Sequence, residues 1–210
     1  MHSNDWTDLI KQFKRRNITC EVVPDRAAAL KRAKELIKPG QSVSFTGCQT
    51  ANQCGMHQWL RETADENNFT LYDPYRAGID WPERIEINRA GMNADWLLAG
   101  ANAITKAGEI VNLDGTANRV AGISFGPKKV LVVAGINKIV EDIGSGIARV
   151  REIAAPLNSK RIKFGNPCEV DGKCHDCSSP NRICRVWGIV EGQMDPDRMT
   201  IIIVEEELGM

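Results

Sequence analysis

The chain has 210 residues, and its 27 basic and 27 acidic side chains give a formal net charge of zero. A neutral chain has no overall attraction to nucleic acid or to an anionic membrane, so neither is an expected partner. Its longest apolar runs, 130–134 and 201–204, are far shorter than the roughly 20 residues that span a bilayer, and no secretory signal is recognised. We therefore expect a cytoplasmic protein with a single domain over residues 1–210.

The first half of the chain alternates between helical and strand patterns. Asp25 is a predicted N-cap, and Pro39-Gly40 is a predicted stop for the helix between them. The apolar spacing and the glycine and proline positions predict, in chain order, a helix at 26–38, a strand at 42–45, a helix at 51–66, a strand at 69–72, a helix at 82–88 and a strand at 95–98.

The second half continues this alternation. It predicts a hairpin of 104–105 with 109–111, a helix at 116–125, a strand at 130–134, a helix at 138–154 capped by Asn137, and an edge strand at 200–204. The run at 130–134 lacks polar alternation, so it is expected at the centre of a sheet that is covered on both faces. The predicted class is α/β, an open, mostly parallel, Rossmann-like sheet with helices on both faces.

Three predicted strands run into similar glycine-bearing turns, at Gly47, Gly100 and Gly135. In open α/β sheets, ligands bind beyond the carboxyl ends of the strands, where glycine lets the backbone approach a ligand. One such turn indicates only a tight connection, but three favour a shared cleft. Its predicted substrate-binding residues in these turns are Gly47, Thr50, Asn102 and Lys138, with a solvated surface lysine as the alternative for Lys138.

The predicted hairpin and the helix after it add polar side chains to this cleft. Arg119 at a helix start opposes the helix dipole, so it should bind an anion, either a substrate carboxylate or a phosphate. Its alternative partner is Asp114, which would hold the hairpin against the helix. Asn112 and Asn118 are predicted to orient a substrate hydroxyl or carbonyl, with a purely structural turn as the alternative for Asn112.

Four cysteines fall within 17 residues, in a predicted module at 165–187 that Pro167, Gly172 and Pro180 keep irregular. In a reducing compartment, such a group of thiols favours a metal site over disulfides. Four converging thiolates suit either a [4Fe–4S] cluster or a tetrahedral zinc ion. The predicted ligands are Cys168, Cys174, Cys177 and Cys184, and unrelated reduced thiols are the alternative.

These motifs resemble the LUD-domain family of lactate utilization protein C and its relatives. The matching segments are GANAITKAGEIVNLDGTANRVAGISFGPKKVLVVAGINKIVEDI at 100–143, AAPLNSKRI at 154–162, PCEVDGKCHDCSSPNRIC at 167–184, IIIVEEELGM at 201–210 and the loop at 47–56. The resemblance implies a fold like ribose-5-phosphate isomerase, glucosamine-6-phosphate deaminase and the CoA transferases. It also implies a role in oxidising lactate to pyruvate alongside iron–sulfur partner proteins.

The chain departs from the family pattern at Gln53, where relatives usually have an acid. A glutamine can donate or accept hydrogen bonds at that position but cannot take a proton near neutral pH. The catalytic candidates are therefore Asp114, Glu109 and Gln53, with no firm assignment among them.

Three functions remain open from the sequence. The first is a subunit of a lactate-oxidising system, with a [4Fe–4S] cluster and a cleft for a 2-hydroxy acid. The second is a sugar-phosphate isomerase or transferase-like enzyme, with structural zinc and with Asp114 or Glu109 as acid or base. The third is a non-catalytic scaffold that docks a redox partner through its cysteine module and the acidic segment 205–207.

Overall fold

A computed structural model describes residues 6–210 of the protein. Its strands are β1 Thr19–Val23, β2 Ser42–Phe45, β3 Thr70–Tyr72, β4 Trp96–Gly100, β5 Ala103–Thr105, β6 Ile110–Asp114, β7 Lys129–Gly135, β8 Ile139–Val140, β9 Val186–Val190 and β10 Met199–Val204. Six of them form an all-parallel sheet in the order β1-β10-β7-β4-β2-β3, and the four others form a mixed sheet in the order β8-β5-β6-β9.

The α-helices connect these strands and cover both faces of the large sheet. They are α1 Thr7–Arg15, α2 Arg26–Leu36, α3 Gln49–Gln53, α4 Met56–Glu62, α5 Trp81–Ala90, α6 Asn118–Ser124, α7 Ile143–Arg149, α8 Ala155–Ile162 and α9 Cys168–Asp171. Asp25 caps α2 as predicted, because its side chain accepts a hydrogen bond from the Ala28 N–H at 2.7 Å. No helix among residues 6–210 is long and apolar enough to cross a membrane.

The side chains of β7 alternate between two hydrophobic cores. Leu131 and Val133 join the core beneath α2, α3 and α4, whereas Val130, Val132 and Ala134 join the core beneath α1 and α6. Burial on both faces explains why this run lacks polar residues. The predicted α/β class, with a parallel sheet, helices on both faces and a central strand at 130–134, is confirmed.

The position predicted for the last strand is wrong. β10 lies between β1 and β7 and is not an edge strand. Its residues Ile201–Val204 are all buried, which is the environment of an inner strand. The edge on this side of the sheet is β1, a strand that the sequence analysis did not predict and that pairs with β10 from Thr19 opposite Thr200 onwards.

Two predicted helices are divided in the structure. The 51–66 prediction is two helices, α3 and α4, separated at Gly55, whose φ of +75° interrupts the helix. The 138–154 prediction is wrong in its first part. Asn137 caps no helix, and residues 139–140 form β8. The cap of α7 is Asp142, which accepts from the Ser145 N–H at 2.7 Å.

The predicted hairpin of β5 and β6 is present, and it begins directly beyond the carboxyl end of β4. β6 also pairs with β9, which follows the cysteine-bearing segment. The small sheet therefore carries both the hairpin and the cysteine segment to the carboxyl end of the large sheet.

Candidate functional site

A cavity of about 220 Å³ opens beyond the carboxyl ends of β2, β4 and β6. We call it the strand-end cavity. Its remaining walls come from α5, the start of α6, and α8, and its polar lining includes Arg84, Asn102, Asp114, Asn118, Arg119 and Arg161. Among the predicted site residues, Gly47, Asn102, Asp114, Asn118 and Arg119 line this cavity.

Arg119 is held tightly by protein groups. Its Nε and Nη2 donate to Asp114 Oδ1 at 2.9 and 2.7 Å, and Nη2 also donates to Asn102 Oδ1 at 2.8 Å. Asp114 Oδ2 accepts from the Val120 N–H at 2.7 Å, so both of its oxygens are bonded. The two ion-paired side chains are 16% and 6% exposed, so solvent screens them little. The structure thus shows Arg119 in the contact that the sequence analysis left as the alternative to anion binding.

The predicted asparagines differ in position. Asn112 is buried, and its Oδ1 accepts from the Asn102 N–H at 3.0 Å, while Asn102 Oδ1 accepts from the Leu113 N–H at 2.9 Å. These two residues therefore support the turn between β4 and the hairpin. Asn118 lies on the cavity wall, where its Nδ2 donates to Asn88 Oδ1 at 3.1 Å.

Several cavity residues were not found by sequence reasoning, among them Tyr75, Arg84, Asn88 and Arg161. Tyr75 lies with its Oη close to Gly47, where an added Cβ would come within 3.2 Å of the hydroxyl. The residue as a whole is 39% exposed, but desolvation of its hydroxyl raises the pKa of that group, and a hydrogen bond from Asn118 opposes the shift. The Arg84 guanidinium lies 5.6 Å from the centre of the Tyr75 ring. Arg84 lies near the start of α5, and a cation at a helix start is the same feature that indicated Arg119 from sequence.

Thr50, Gln53 and Lys138 lie together in a different place, beneath the segment 205–210. Lys138 Nζ donates to Thr50 Oγ1 at 2.8 Å, and Gln53 Oε1 accepts from the Gly209 N–H at 2.6 Å. Lys138 is 4% exposed, and its burial lowers its pKa to about 8. The predicted cleft is therefore split in two, because the 205–210 segment covers the buried Thr50 and Lys138 and hydrogen-bonds the exposed Gln53.

Glu109 lies in neither group. It is buried at the far end of the hairpin, where its Oε1 accepts from Arg16 Nη2 at 2.7 Å and its Oε2 contacts the Thr105 hydroxyl. The structure does not bring Glu109 together with Asp114 at the strand-end cavity.

The four clustered cysteines surround one small cavity of about 20 Å³, which we call the cysteine pocket. It is lined by Cys168, Cys174, Cys177 and Cys184. Burial raises the pKa of Cys184, and the nearby thiols of Cys174 and Cys177 add to the effect. Four thiols on one irregular loop form a donor set of the right kind for an iron–sulfur cluster or zinc. As they stand, no three His, Cys, Asp or Glu side chains of residues 6–210 are arranged to hold a metal ion.

The cysteine loop is held by two charged side chains. Arg182 donates from Nε to the Cys184 carbonyl and from Nη1 to the Cys177 carbonyl, both at 2.7 Å. The Glu169 carboxylate accepts hydrogen bonds from the backbone N–H groups of Asn166, Gly165 and Phe164, the last at 3.0 Å. These bonds lower the pKa of Glu169. Cys184 lines both the cysteine pocket and the strand-end cavity, so the two share a wall.

The family model of the LUD domain matches residues 7–204. The chain belongs to the LUD-domain family. This family membership confirms the resemblance that the central motif and the cysteine segment indicated from sequence.

Among solved structures, the chain is similar to a DUF162-family protein from Deinococcus radiodurans, with a TM-score of 0.51 and 17% sequence identity over 96% of this chain and 99% of that one. At this identity the similarity bears on the fold alone. A second similarity, to ribose-5-phosphate isomerase A from Methanocaldococcus jannaschii, has a TM-score of 0.38 and 12% identity over 79% of this chain and 78% of that one. No curated protein sequence matches the chain.

Proposed function

We propose that this LUD-domain protein is a component of lactate oxidation that binds a small 2-hydroxy acid in the strand-end cavity and carries a [4Fe–4S] cluster on its four clustered cysteines. Family membership supports the role in lactate utilization. The observation that carries the proposal is the shared wall at Cys184, because it places an anion-sized cavity directly beside the cysteine pocket.

The charge of the strand-end cavity supports an anionic ligand. Its lining contains three guanidiniums, those of Arg84, Arg119 and Arg161, and a single side-chain carboxylate, Asp114, so the lining side chains carry a net charge of +2. The whole chain is neutral, so this positive charge is local. A concave site with excess charge of one sign attracts ligands of the opposite sign. A volume of about 220 Å³ lies below the usual range for drug-sized ligands, so it suits a small acid.

The residues around the cavity have distinct proposed roles. The buried ion pair of Arg119 and Asp114 forms a rigid wall and keeps Asn102 oriented. The side chain of Asn118, next to the Tyr75 hydroxyl, can hydrogen-bond a ligand hydroxyl or carbonyl. Water is limited by the apolar part of the lining, which includes Ile85, Val150, Ala154, Ile162 and Ile183.

On the cysteine loop, Cys168, Cys174, Cys177 and Cys184 would hold the cluster. A bound [4Fe–4S] cluster supplies one-electron transfer. The protein's own contribution is to fix the loop through Arg182 and Glu169 and to bury Cys184. Iron–sulfur partner proteins would be the electron acceptors.

Gln53 does not count against this proposal. Its Oε1 accepts a hydrogen bond from the Gly209 N–H, outside the strand-end cavity. A carboxylate could accept the same bond, so the family's acid and this glutamine can serve one structural contact. The phosphosugar alternative is less well supported, because it needs Asp114 or Glu109 as a base and both carboxylates are engaged in ion pairs.

Anaerobic reconstitution of the full chain with iron and sulfide tests the cluster. We expect visible absorbance and about four iron and four sulfide per chain. Cys177→Ser should lose most of both, whereas Cys20→Ser, at a buried cysteine outside the loop, should retain them. Stoichiometric zinc without sulfide would instead favour the structural zinc site.

Thermal unfolding with added ligands tests the cavity. We expect L-lactate and pyruvate to raise the melting temperature, because a ligand that binds only the folded state stabilises it. Stabilisation by ribose 5-phosphate and not by either acid would favour the phosphosugar function. Lactate oxidation that appears only with iron–sulfur partner proteins present would identify the chain as a subunit, and full turnover by the isolated chain would exclude the scaffold hypothesis.

A further inference from the structure

Arg84 differs from the other arginines of the strand-end cavity in its contacts. Its Nε is buried and has no hydrogen-bond partner, and no carboxylate within residues 6–210 pairs with its guanidinium. Arg119 pairs with Asp114, and Arg161 donates to Asn158 Oδ1 at 2.8 Å. The Arg84 guanidinium lies over the Tyr75 ring, 5.6 Å from its centre.

An unpaired buried N–H is unfavourable, because the group has lost water without gaining a partner. The position adds a second unfavourable effect. Arg84 is the fourth residue of α5, and a cation near a helix N-terminus opposes the helix dipole. The acidic residue beside it, Glu83, is paired with Arg76. An oxyanion in the cavity would satisfy both the guanidinium N–H groups and its charge.

We propose that Arg84 is the residue that binds the anionic group of the ligand, with the Tyr75 ring as the surface on which the guanidinium is held. The ligand group is an oxyanion, a carboxylate or a phosphate, because a planar guanidinium donates two parallel hydrogen bonds to either one. The inference rests on the proposed function only in taking the strand-end cavity as the ligand site.

Two arginines of the cavity thus have different roles, Arg119 in stabilising the fold and Arg84 in binding the ligand. Arg119 has its N–H groups committed to Asp114, to Asn102 and to the Leu113 carbonyl, so it holds the fold. Arg84 lines the same cavity from a different helix, and its buried Nε has no hydrogen-bond partner. Asn88 and Asn118, joined by a hydrogen bond of 3.1 Å, also line the cavity and can orient the rest of the ligand.

Isothermal titration of the full chain with pyruvate, L-lactate and inorganic phosphate tests the proposal, with Arg84→Met as the main variant. Methionine keeps an unbranched apolar stem next to Tyr75 and removes the charge and the donors. We expect the affinity of the bound probe to fall about 10- to 100-fold, as for loss of a hydrogen bond to a charged group. The matched control is Arg89→Met, on the same helix at a side chain 73% exposed, which should bind like the wild type.

Thermal unfolding without ligand separates binding from folding. Arg84→Met should melt no lower than the wild type, because it removes an unpaired buried donor. If that variant fails to fold, Arg84→Lys is measured instead. It keeps the charge but not the paired donors, so its affinity should still be lower than that of the wild type.

The outcomes separate this proposal from the proposed function. Wild-type affinity in Arg84→Met, with binding intact in the parent, would overturn the role of Arg84 and leave the cavity as the ligand site. Binding of phosphate alone, lost in Arg84→Met, would support Arg84 and overturn the 2-hydroxy acid. Absence of binding by the wild type to all three probes would overturn both.

Discussion

At the scale of single residues, Arg119 has the chemistry to bind an anionic ligand, but its guanidinium is hydrogen-bonded to Asp114 and Asn102 and stabilises the fold instead. We expect Arg119→Lys to lower the free energy of unfolding by about 1 to 3 kcal/mol, because lysine leaves part of the buried Asp114 and Asn102 acceptors unsatisfied. Chemical denaturation measures this loss. Ligand affinity of the folded fraction should change much less than in Arg84→Met.

The control for this change is Arg76→Lys, in an ion pair with Glu83 whose side chains are 60% and 49% exposed. Exposed pairs contribute little, so its free energy of unfolding should change by less than about 1 kcal/mol. Unchanged stability in Arg119→Lys together with a large loss of affinity would show that Arg119 binds the anion after all, as the sequence pattern first indicated.

Lys138 makes stability depend on pH. Its pKa is about 8 in the folded protein because it is buried, against 10.5 for an ordinary lysine. Between these two pH values the unfolded state binds more protons, so the free energy of unfolding rises with pH across this window. The unfavourable effect is fully present below pH 8 and is relieved above about pH 10.5. The full change is roughly 3 kcal/mol.

Lys138→Met isolates this contribution. As pH rises from 8 to 10.5, the free energy of unfolding of the wild type should increase relative to that of Lys138→Met. The buried thiol of Cys54, whose pKa is raised to about 12, has the opposite pH dependence but is present in both proteins and largely cancels. Parallel pH profiles for the two proteins would show that Lys138 titrates normally.

At the scale of elements, the cysteine loop is organised by an arginine that is not itself a ligand. Arg182 binds the carbonyls of Cys177 and Cys184, so Arg182→Gln should loosen the loop and keep all four thiols. Residues behind metal ligands typically affect metal affinity 10- to 100-fold. We therefore expect faster loss of iron to a chelator, measured by the decay of visible absorbance after reconstitution.

Arg151→Gln is the matched control for that loss. Arg151 and Arg182 both lie near Asp176, at 3.6 and 2.9 Å. Unlike Arg182, Arg151 donates to no cysteine carbonyl among residues 6–210. Its iron should be retained as in the wild type. Equal rates of iron loss in wild type and Arg182→Gln would exclude a positioning role for Arg182.

Elements with a strong local signal were predictable, and those that depend on distant partners were not. The β-rich run of β7 and the Asp25 cap of α2 follow from neighbouring residues. The place of β10 depends on β1, which is about 180 positions away in the chain, and no local pattern reveals that pairing. Asn137 was predicted to cap a helix, but its Oδ1 accepts from the Leu208 N–H, 71 residues later.

The candidate site was predictable to the same extent. The turns after β2 and β4 bring Gly47 and Asn102 to one cavity, because the carboxyl ends of parallel strands share one edge of the sheet, but the turn at Gly135 does not line it. Thr50 and Lys138 were assigned to that cavity but lie beneath the 205–210 segment, whose path is set by contacts far along the chain. Arg84 was missed because its environment depends on the packing of α5 over Tyr75.

At the scale of the whole molecule, the 205–210 segment joins parts of the chain that are otherwise separate. Glu206 pairs with Arg26 of α2, Gly209 donates to Gln53 of α3, and the Met210 carbonyl accepts from Arg149 of α7 at 3.3 Å. Met210 also lines the strand-end cavity. The segment thus links one helical layer of the large sheet, helix α7 of the small-sheet region and the candidate site.

At Gly135, the backbone of the 205–210 segment packs so closely that a side chain has no room. A Cβ there would lie 2.5 Å from the Leu208 nitrogen and 2.6 Å from the Glu206 carbonyl oxygen, and these backbone atoms must shift to admit it. We expect Gly135→Ala to lower the free energy of unfolding by about 1 to 3 kcal/mol, as overpacking does, and to speed amide exchange at Leu208. Gly144→Ala, whose Cβ would meet only an ordinary contact at 3.4 Å, should show neither effect. The φ of Gly135, −79°, is one that alanine adopts without strain, so a loss of stability in Gly135→Ala comes from the crowding alone. Unchanged amide exchange at Leu208 in this variant would mean that the 205–210 segment is not held at Gly135.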